Sequence, residues 1–408
     1  MIAPQTPNPG GSPSSTTGLS ARPAAGRMTA VWCLLAAGAL IAGCGSTSAS
    51  GPAQAAAPAA PPPLATSSVA ATGSGWAVVE MGGSAAQHDN FWELFVRPAG
   101  SARWRLATPA GVADNGGLVV AGSGGGSLVT GFRPSQDLTF SPLAASSDDG
   151  ATWSPSGPVS PGLASAPDAL AAGPGGRLMA LTSGGGAELG TGAAWTRLAT
   201  AQALAATPAG RACGVTGLTA AAFGVSGTPM LAAGCARPGV AGIFAYSGGW
   251  HAAGPPVPAA LARLDIEVLT LTGYAGPAGT GLVALLRSGS GPAASVTAAW
   301  SGDGGSRWAL SAPLRLGGGQ LTATATGPGG AFGIIINSNR GATLTGPGAS
   351  WRALPALPRG TATLALGPAG QADAIAVHMG TFADWRLGAS GWTLAQTIQV
   401  TIPYGSSG

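Results

Sequence analysis

Charged residues are scarce in this chain of 408 residues: they make up 8% of it, and all 18 basic residues are arginine. The arginines form no stripe with interleaved aromatic residues, so the pattern typical of nucleic-acid-binding proteins is missing and we expect no nucleic-acid partner. The three histidines, His88, His251 and His378, are far apart and lack metal-site spacing with cysteine. We therefore predict neither a metal site nor a cofactor.

Motifs that carry catalysis are also missing. No G-x-S-x-G segment stands in the context of a nucleophile elbow, and no glycine-rich turn precedes a helix that could cradle a phosphate. The few glutamates and tyrosines form no recognisable nucleophile pair; they are Glu80, Glu93, Glu188, Glu267, Tyr246, Tyr274 and Tyr404. We predict no catalytic residue from the sequence.

The N-terminal region is predicted to lie outside the fold. Arg22 and Arg27 precede the apolar run MTAVWCLLAAGALIAG, residues 28–43, which is too short to span a membrane comfortably. Residues 1–43 are therefore interpreted as a signal peptide with an extended n-region. The run ends in IAGC, which resembles a bacterial lipobox. The resemblance implies cleavage before Cys44, a lipid on its sulfur and retention on the extracytoplasmic face of the membrane; the alternative is an ordinary signal peptide followed by a coincidental cysteine.

Composition divides the rest of the chain into a linker and one large domain. Residues 44–66 are rich in Ala, Pro and Ser and are predicted to be a flexible, disordered linker. Residues 67–408 are long for an average domain but normal for a single all-β domain. If Cys33 leaves with the signal peptide and Cys44 carries a lipid, Cys213 and Cys235 remain in an oxidising location, where a disulfide is expected.

A repeat determines the predicted fold. Tryptophans recur at intervals of 41 to 58 residues, each after a turn rich in Gly, Ser or Ala; they are Trp104, Trp153, Trp195, Trp250, Trp308, Trp351 and Trp392. Before each tryptophan, a Gly-rich turn separates two short apolar runs, which are typical of buried strands, and no segment after residue 67 shows a helical period. Seven units of four short strands predict an all-β, seven-bladed β-propeller over residues 67–408.

Two turns of the repeat carry a more specific pattern, Ser-x-Asp-x-Gly-x-x-Trp. The first is SSDDGATW, with Ser146, Asp148, Gly150, Thr152 and Trp153; the second is SGDGGSRW, with Ser301, Asp303, Gly305 and Trp308. Both resemble the Asp-box of BNR-type propellers, which occurs in sialidases, other carbohydrate-active propellers and a photosystem assembly factor. The resemblance implies a structural turn at the periphery between the third and fourth strands, in which the Asp binds backbone N–H groups.

Propeller topology directs a search for a ligand site to the other face. Turns between second and third strands share a face with the connections between blades, and polar residues group in such segments of the first two units. We predict a ligand surface there, formed by His88, Asp89, Asn90, Asp114, Asn115, Arg133, Gln136 and Asp137. The alternative is that these residues only solvate loops and cap turns.

The sequence therefore predicts a monomeric, membrane-anchored binding or scaffold propeller whose partner is a glycan, a peptide or an envelope protein. The alternative is a divergent sialidase-like hydrolase, although the arginine triad and the Tyr–Glu pair of sialidases are not recognisable. Two arrangements of the C-terminal segment TIQVTIPYG remain open: it closes the ring as an inner strand of the first blade, or residues before Trp76 provide that strand.

Overall fold

The computed structural model describes residues 68–400, except for residues 72–73, 83–89, 99, 110–117, 125, 133–142, 156–166, 183, 192–193, 277–278, 368–369 and 379. The predictions of a signal peptide, a lipidated Cys44 and a linker over residues 44–66 fall outside the described residues. Within the described ranges, no helix is both long and apolar enough to cross a membrane.

The described strands pair into seven antiparallel sheets, numbered here in chain order. Sheets 1 to 3 contain β1 Ser68–Ala71, β2 Ser74–Gly82, β3 Asn90–Arg97 and β4 Arg105–Leu106; β5 Leu118–Gly124, β6 Ser127–Phe132, β7 Leu143–Ser146 and β8 Ser154–Pro155; and β9 Pro167–Ala172, β10 Leu178–Thr182, β11 Gly186–Thr191 and β12 Ala194–Thr200.

Sheets 4 to 7 contain β13 Val215–Phe223, β14 Pro229–Cys235, β15 Gly242–Tyr246 and β16 Trp250–Ala252; β17 Ile266–Gly276, β18 Gly279–Ser288, β19 Ser295–Ser301, β20 Ala309–Leu310 and the additional β21 Leu314–Arg315; β22 Leu321–Gly327, β23 Ala331–Ile336, β24 Arg340–Leu344 and β25 Arg352–Ala353; and β26 Thr361–Leu366, β27 Ala372–His378, β28 Thr381–Gly388 and β29 Gly391–Gln399. In every sheet each strand pairs with the next along the chain, and β21 pairs with β19.

The sheets stand side by side in a closed ring. The first strands of neighbouring sheets pack together from sheet 1 to sheet 5 and between sheets 6 and 7, whereas the turn Pro328–Gly330 of sheet 6 packs against β17 of sheet 5. The ring closes because β1 packs against β26 of the last sheet as well as against β5 of the second. Antiparallel meanders arranged in this way define a β-propeller, so the predicted all-β class and propeller architecture are confirmed.

The hydrophobic core consists of layers between neighbouring sheets. Leu94 and Val96 of sheet 1 pack against Leu118 and Val120 of sheet 2, and equivalent clusters lie between the later sheets. Alanine fills many of these layers without any exposed surface, including Ala232, Ala233, Ala284, Ala298 and Ala374. Small side chains allow the sheets to approach closely, which explains the Ala- and Gly-rich composition.

The recurring tryptophans hold neighbouring sheets together. All seven lie at the start of a fourth strand, as the repeat predicts. Trp153 donates its indole N–H to the carbonyl oxygen of Ala107 over 2.7 Å, and Trp308 donates to that of Ala253 over 2.9 Å. Ala107 and Ala253 follow the fourth strand of the preceding sheet, so each indole joins two sheets.

Two short helices correct the expectation that no helix follows residue 67. The helices α1 Ala201–Ala205 and α2 Pro208–Cys213 connect sheets 3 and 4. Thr200 and Thr207 cap them by accepting backbone N–H bonds from residues 203 and 210. Both helices are shorter than two turns, so no period of 3.6 could show in the sequence. Among the described residues, single 3₁₀ turns also lie at Pro174–Gly176, Ala259–Leu261, Gly291–Ala293 and Pro328–Gly330.

The predicted disulfide between Cys213 and Cys235 is confirmed, with Cα atoms 5.0 Å apart. The bridge links a helix to a strand, because Cys213 ends α2 whereas Cys235 ends β14. Gly214 then adopts a left-handed conformation, with φ of 68°, which turns the chain from α2 into β13. The disulfide therefore fastens the helical connection to sheet 4.

The described part of the C-terminal segment, residues 397–400, does not provide the first strand of sheet 1. That strand is β1, which pairs with β2, and β29 forms the outermost strand of sheet 7 as far as Gln399. Among the described strands, the first and last sheets therefore share none. Side chains join them instead: Phe95 stacks on Phe382 with centroids 4.1 Å apart, and Gln396 exchanges two hydrogen bonds with the backbone of Trp104.

Candidate functional site

Residues 146–153 form the turn between β7 and β8, and the polar groups of this turn bind one another. The Oγ of Ser146 donates to Asp148 Oδ1 over 2.7 Å and accepts from the backbone N–H of Gly150 over 2.8 Å. Thr152 donates to the same carboxylate from its Oγ1 over 2.6 Å and from its backbone N over 2.9 Å. These bonds, those from Thr152 above all, lower the pKa of Asp148 below its usual range. Asp148 is therefore an ionised group that fixes the turn.

Residues 301–308 repeat this arrangement between β19 and β20. Ser301 Oγ donates to Asp303 Oδ1 over 2.9 Å, and the backbone N of Arg307 donates to the same oxygen over 2.8 Å. The bond from Arg307 is the main reason why the pKa of Asp303 is lowered. Arg307, which replaces the threonine of the first turn, keeps the backbone bond and adds an exposed ion pair at 3.4 Å. Both turns thus have the geometry expected of a structural element.

Hydrogen bonds show which loops share a face of the ring. In sheet 4, Gly239 lies between the second and third strands, and its N donates over 2.8 Å to the oxygen of Leu264, which lies in the connection to sheet 5. In sheet 6, the N of Asn337 donates over 2.8 Å to the oxygen of Gln320 in the same way. We call this side of the ring the connection face. The turns of residues 146–153 and 301–308 lie on the opposite face.

The sequence places its predicted ligand residues in segments of the connection face that belong to sheets 1 and 2. His88, Asp89, Asp114, Asn115, Arg133, Gln136 and Asp137 fall outside the described residues, and Asn90 is described only as the first residue of β3. Their grouping into one surface stays a prediction.

The described glutamates are occupied by partners within their own sheets. Glu188 accepts from Arg197 Nε over 2.9 Å, and Glu267 forms an ion pair with Arg287. Glu93 accepts a hydrogen bond from the hydroxyl of Thr108, yet burial outweighs that bond and raises the pKa of the Glu93 carboxyl. The hydrogen bonds and ion pairs described for these three carboxylates are made to hydroxyl and guanidinium groups, and not to a second carboxyl group such as a glycosidase uses.

The described tyrosines have no glutamate partner. Tyr246 packs against Trp250, with ring centroids 5.2 Å apart, and Tyr274 packs in the layer between sheets 5 and 6. A Tyr–Glu nucleophile pair is thus not formed by Tyr246 or Tyr274, whereas Glu80 and Tyr404 have no described side chains. Among the residues that the structure covers, no group of three or more potential ligands is placed to hold a metal ion.

A buried charged cluster lies at the seam between sheets 1 and 7. Arg97 of β3 forms an ion pair with Asp373 of β27, and Arg386 of β28 bonds to Asp384 over 3.1 Å and to the carbonyl of Ala102. Asp384 has no exposed surface, and its Oδ1 has no hydrogen-bond partner. Burial, followed by the charge of Asp373, raises the pKa of Asp384 to about 6.

This cluster was not predicted from the sequence, although a signal for it was present. Asp373 and Asp384 interrupt apolar strands, in QADAIAVH and TFADWRLG, where a solvated carboxylate has no place. Arg97 ends the apolar segment FWELFVR in the same way. Charges in buried strands predict ion pairs, but the partners come from opposite ends of the chain. The cluster is enclosed between two sheets, so we assign it to ring closure and not to ligand binding.

Comparisons with known proteins identify similar folds and no family. No family model matches the sequence, and no curated protein does either. A similar solved structure is YCF48 from Cyanidioschyzon merolae, at 16% identity and a TM-score of 0.42, with 81% of this chain and 96% of that chain covered.

Two further solved structures are similar at lower identity. A putative 6-phosphogluconolactonase from Bacteroides fragilis shares 11% identity, with 79% of this chain and 94% of that chain covered and a TM-score of 0.42. A six-bladed fucose-binding lectin from Aleuria aurantia shares 12% identity, with coverages of 85% and 100% and a TM-score of 0.36. These values are too low to transfer a ligand or a blade number to this chain.

Proposed function

We propose that this protein is a lipid-anchored β-propeller on the extracytoplasmic face of a bacterial membrane, where it binds or holds a partner without hydrolysing it. The partner class is a glycan, a peptide or an envelope protein, and the propeller acts as a monomer. The observation that carries the proposal is the engagement of five described acidic side chains. Glu93, Glu188 and Glu267 have side-chain partners, and Asp148 and Asp303 are held by their turns.

The architecture is a seven-bladed propeller of the Asp-box type in this proposal. The seven sheets formed by the described strands support one blade per sheet. The hydrogen bonds of residues 146–153 and 301–308 support the Asp-box assignment, since in both turns the Asp accepts backbone bonds and the Gly at the fifth position has a positive φ, 76° and 99°.

Export is supported by two independent features. The apolar run of residues 28–43 ends at Cys44 in a lipobox-like sequence, and the disulfide between Cys213 and Cys235 suits an oxidising compartment. Acylation of Cys44 would retain the propeller at the membrane. Mass spectrometry of the mature N-terminus tests this, and an unmodified Cys44 would remove the anchor from the proposal.

The candidate binding surface lies on the connection face of sheets 1 and 2, around His88, Asp114, Arg133 and Asp137. A photo-crosslinking residue at Gln136 is expected to capture the partner in intact envelopes. The same residue at Ser306, an exposed position on the opposite face, is the matched control. Equal capture from both positions, or none from Gln136, would contradict this location.

The alternative is a divergent sialidase-like hydrolase, which requires a carboxylate pair outside the described residues. Assays of the purified protein on sialosides and other glycosides separate the two proposals. Turnover that Glu80→Gln abolishes would favour the hydrolase, whereas binding without turnover would favour the scaffold.

A further inference from the structure

Charge in the second half of the ring is concentrated on one face. In residues 201–400, seven arginines lie in the segments that form the connection face: Arg211, Arg237, Arg263, Arg287, Arg315, Arg340 and Arg359. Two acidic residues, Asp265 and Glu267, accompany them. The other charged residues of this half lie at the opposite face or in the seam between sheets 1 and 7. Their positive and negative charges cancel, because they are three arginines and three aspartates. The excess positive charge therefore belongs to the connection face.

Most of these arginines have no acidic partner. Within the described part of the chain, Arg287 is the one of these seven that forms an ion pair, with Glu267. Arg211 and Arg340 bond to the backbone carbonyls of Ala206 and Leu316, which leaves their charges uncompensated. The other four, Arg237, Arg263, Arg315 and Arg359, are exposed. Exposed charges of a single sign create a positive potential that attracts anionic partners.

The polypeptide enters the fold from the same face. The first strand of every sheet starts at the connection face, because the preceding connection ends there, and β1 starts at Ser68. Cys44 and the apolar run before it lie upstream of Ser68 in sequence. A lipid on Cys44 would therefore be joined to the propeller through a residue of the connection face.

We infer that the connection face of sheets 4 to 7, which we call the arginine face, contacts an anionic membrane surface through Arg211, Arg237, Arg263, Arg315, Arg340 and Arg359. The inference rests on the proposed function, since the anchor supplies the membrane. The occupant is a bilayer of anionic phospholipid headgroups: it is extended and negatively charged, and it lies where the chain enters. Arginine suits this contact because its planar guanidinium binds phosphate oxygens in pairs.

The electrostatic contribution has a measurable size. A basic side chain at an anionic bilayer strengthens binding about fivefold, so three arginines contribute on the order of a hundredfold. The attraction is screened within about 10 Å at ~0.1 M salt, so it must weaken as salt is raised. A lipid anchor alone would show neither dependence.

The test uses the full-length chain with Cys44→Ser, which removes the lipid and isolates the arginine face. Binding is measured on vesicles of phosphatidylglycerol mixed with phosphatidylcholine and on vesicles of phosphatidylcholine alone. Dividing the affinity for the anionic vesicles by the affinity for the phosphatidylcholine vesicles cancels the hydrophobic contribution of residues 28–43. The first variant carries Arg237→Gln, Arg263→Gln and Arg359→Gln. The control carries Arg103→Gln, Arg307→Gln and Arg352→Gln, which remove the same charge from exposed positions on the opposite face.

We expect the unsubstituted chain and the control to prefer anionic vesicles, and the first variant to lose that preference on the order of a hundredfold. Thermal unfolding of both variants verifies that they fold, because all six positions are exposed. Equal preference in all three proteins, or no preference in any of them, would overturn the inference. Binding to soluble polyglutamate without binding to vesicles would also overturn it, since the occupant would then be an acidic polypeptide.

The vesicle experiment and the test for acylation of Cys44 can give different answers, so the failure of one proposal can be told from the failure of the other. If the wild-type protein is acylated at Cys44 but shows no preference for anionic vesicles, the proposed membrane contact of the arginine face is wrong and the proposed lipid anchor stands. A protein without acylation that still distinguishes the vesicles supports the arginine face and removes the anchor.

Discussion

Arg97 in sheet 1 forms an ion pair with Asp373 in sheet 7, although the two sheets share none of the described strands and the residues lie 276 positions apart in the chain. Both side chains are nearly buried, with 12% and 8% of their surfaces exposed. Arg97 also lies over the ring of Trp104, at 5.1 Å from its centroid. In the absence of a common strand, these contacts and the stacked Phe95 and Phe382 hold the ring closed.

Arg97→Met is expected to destabilise the protein by about 3 kcal/mol at neutral pH, because it leaves the Asp373 carboxylate buried without its ion-pair partner. Urea unfolding measures the change. Arg307→Gln, which removes an exposed ion pair, is the control and should cost less than about 1 kcal/mol. If Asp373→Asn in the Arg97→Met background restores no stability, the buried charge is not the cause.

Asp384 predicts a dependence of stability on pH. Its pKa is raised in the fold to about 6 from an ordinary value of 3.8, so the folded state binds the proton more tightly than the unfolded state does. Tighter proton binding therefore stabilises the folded state fully when the pH is below the ordinary pKa of 3.8. This stabilisation, about 2–3 kcal/mol, is lost as the pH rises through about 6. The raised pKa of Asp373 acts in the same direction.

The measurement is the free energy of unfolding at about pH 4 and pH 7 for the wild type and for Asp384→Asn. The wild type should lose more stability than the variant as the pH rises, because only the wild type must ionise the buried Asp384 carboxyl. An equal loss in the two proteins would show that Asp384 is not responsible.

The fold could be predicted from the sequence because short local segments show the period of its repeat. Each tryptophan, such as Trp153 or Trp308, follows its own turn and starts a fourth strand, so position within the repeat can be read without distant contacts. The disulfide could be predicted from a count of cysteines, since Cys213 and Cys235 are the two cysteines left after the N-terminal region.

Features that depend on distant contacts were not accessible. The pairing of Arg97 with Asp373 joins the ends of the chain, and no local pattern specifies which buried charges meet. The C-terminal strand was ambiguous because β1 has only four residues, SVAA, which are too few to indicate a strand on their own. The arginine face was hidden as well, since its members come from separate connections and share a face only after the sheets form.

Asp148→Ala is expected to lower the free energy of unfolding, because Ser146 and Thr152 lose the carboxylate that accepts their hydrogen bonds. The neighbouring Asp149→Asn is the matched control and should change stability by less than about 0.5 kcal/mol, since asparagine tolerates the positive φ of 57° at this position. Thermal or urea unfolding compares the two. Capture of a partner through Gln136 should be unaffected by Asp148→Ala; its loss in a folded variant would give the turn a binding role.

The disulfide between Cys213 and Cys235 closes a loop with a sequence separation of 22 residues. Constraining a loop of this length in the unfolded chain stabilises a protein by about 3 kcal/mol, so the Cys213→Ser and Cys235→Ser double variant should lose about that much. The loss should be local at first, because the bridge fastens α2 to β14 and not sheet to sheet. Hydrogen exchange should therefore rise in residues 201–214 before it rises in sheet 4. Reductant should lower the unfolding midpoint of the wild type and leave that of the double variant unchanged. A midpoint that reductant lowers equally in both proteins would show that the effect has another origin.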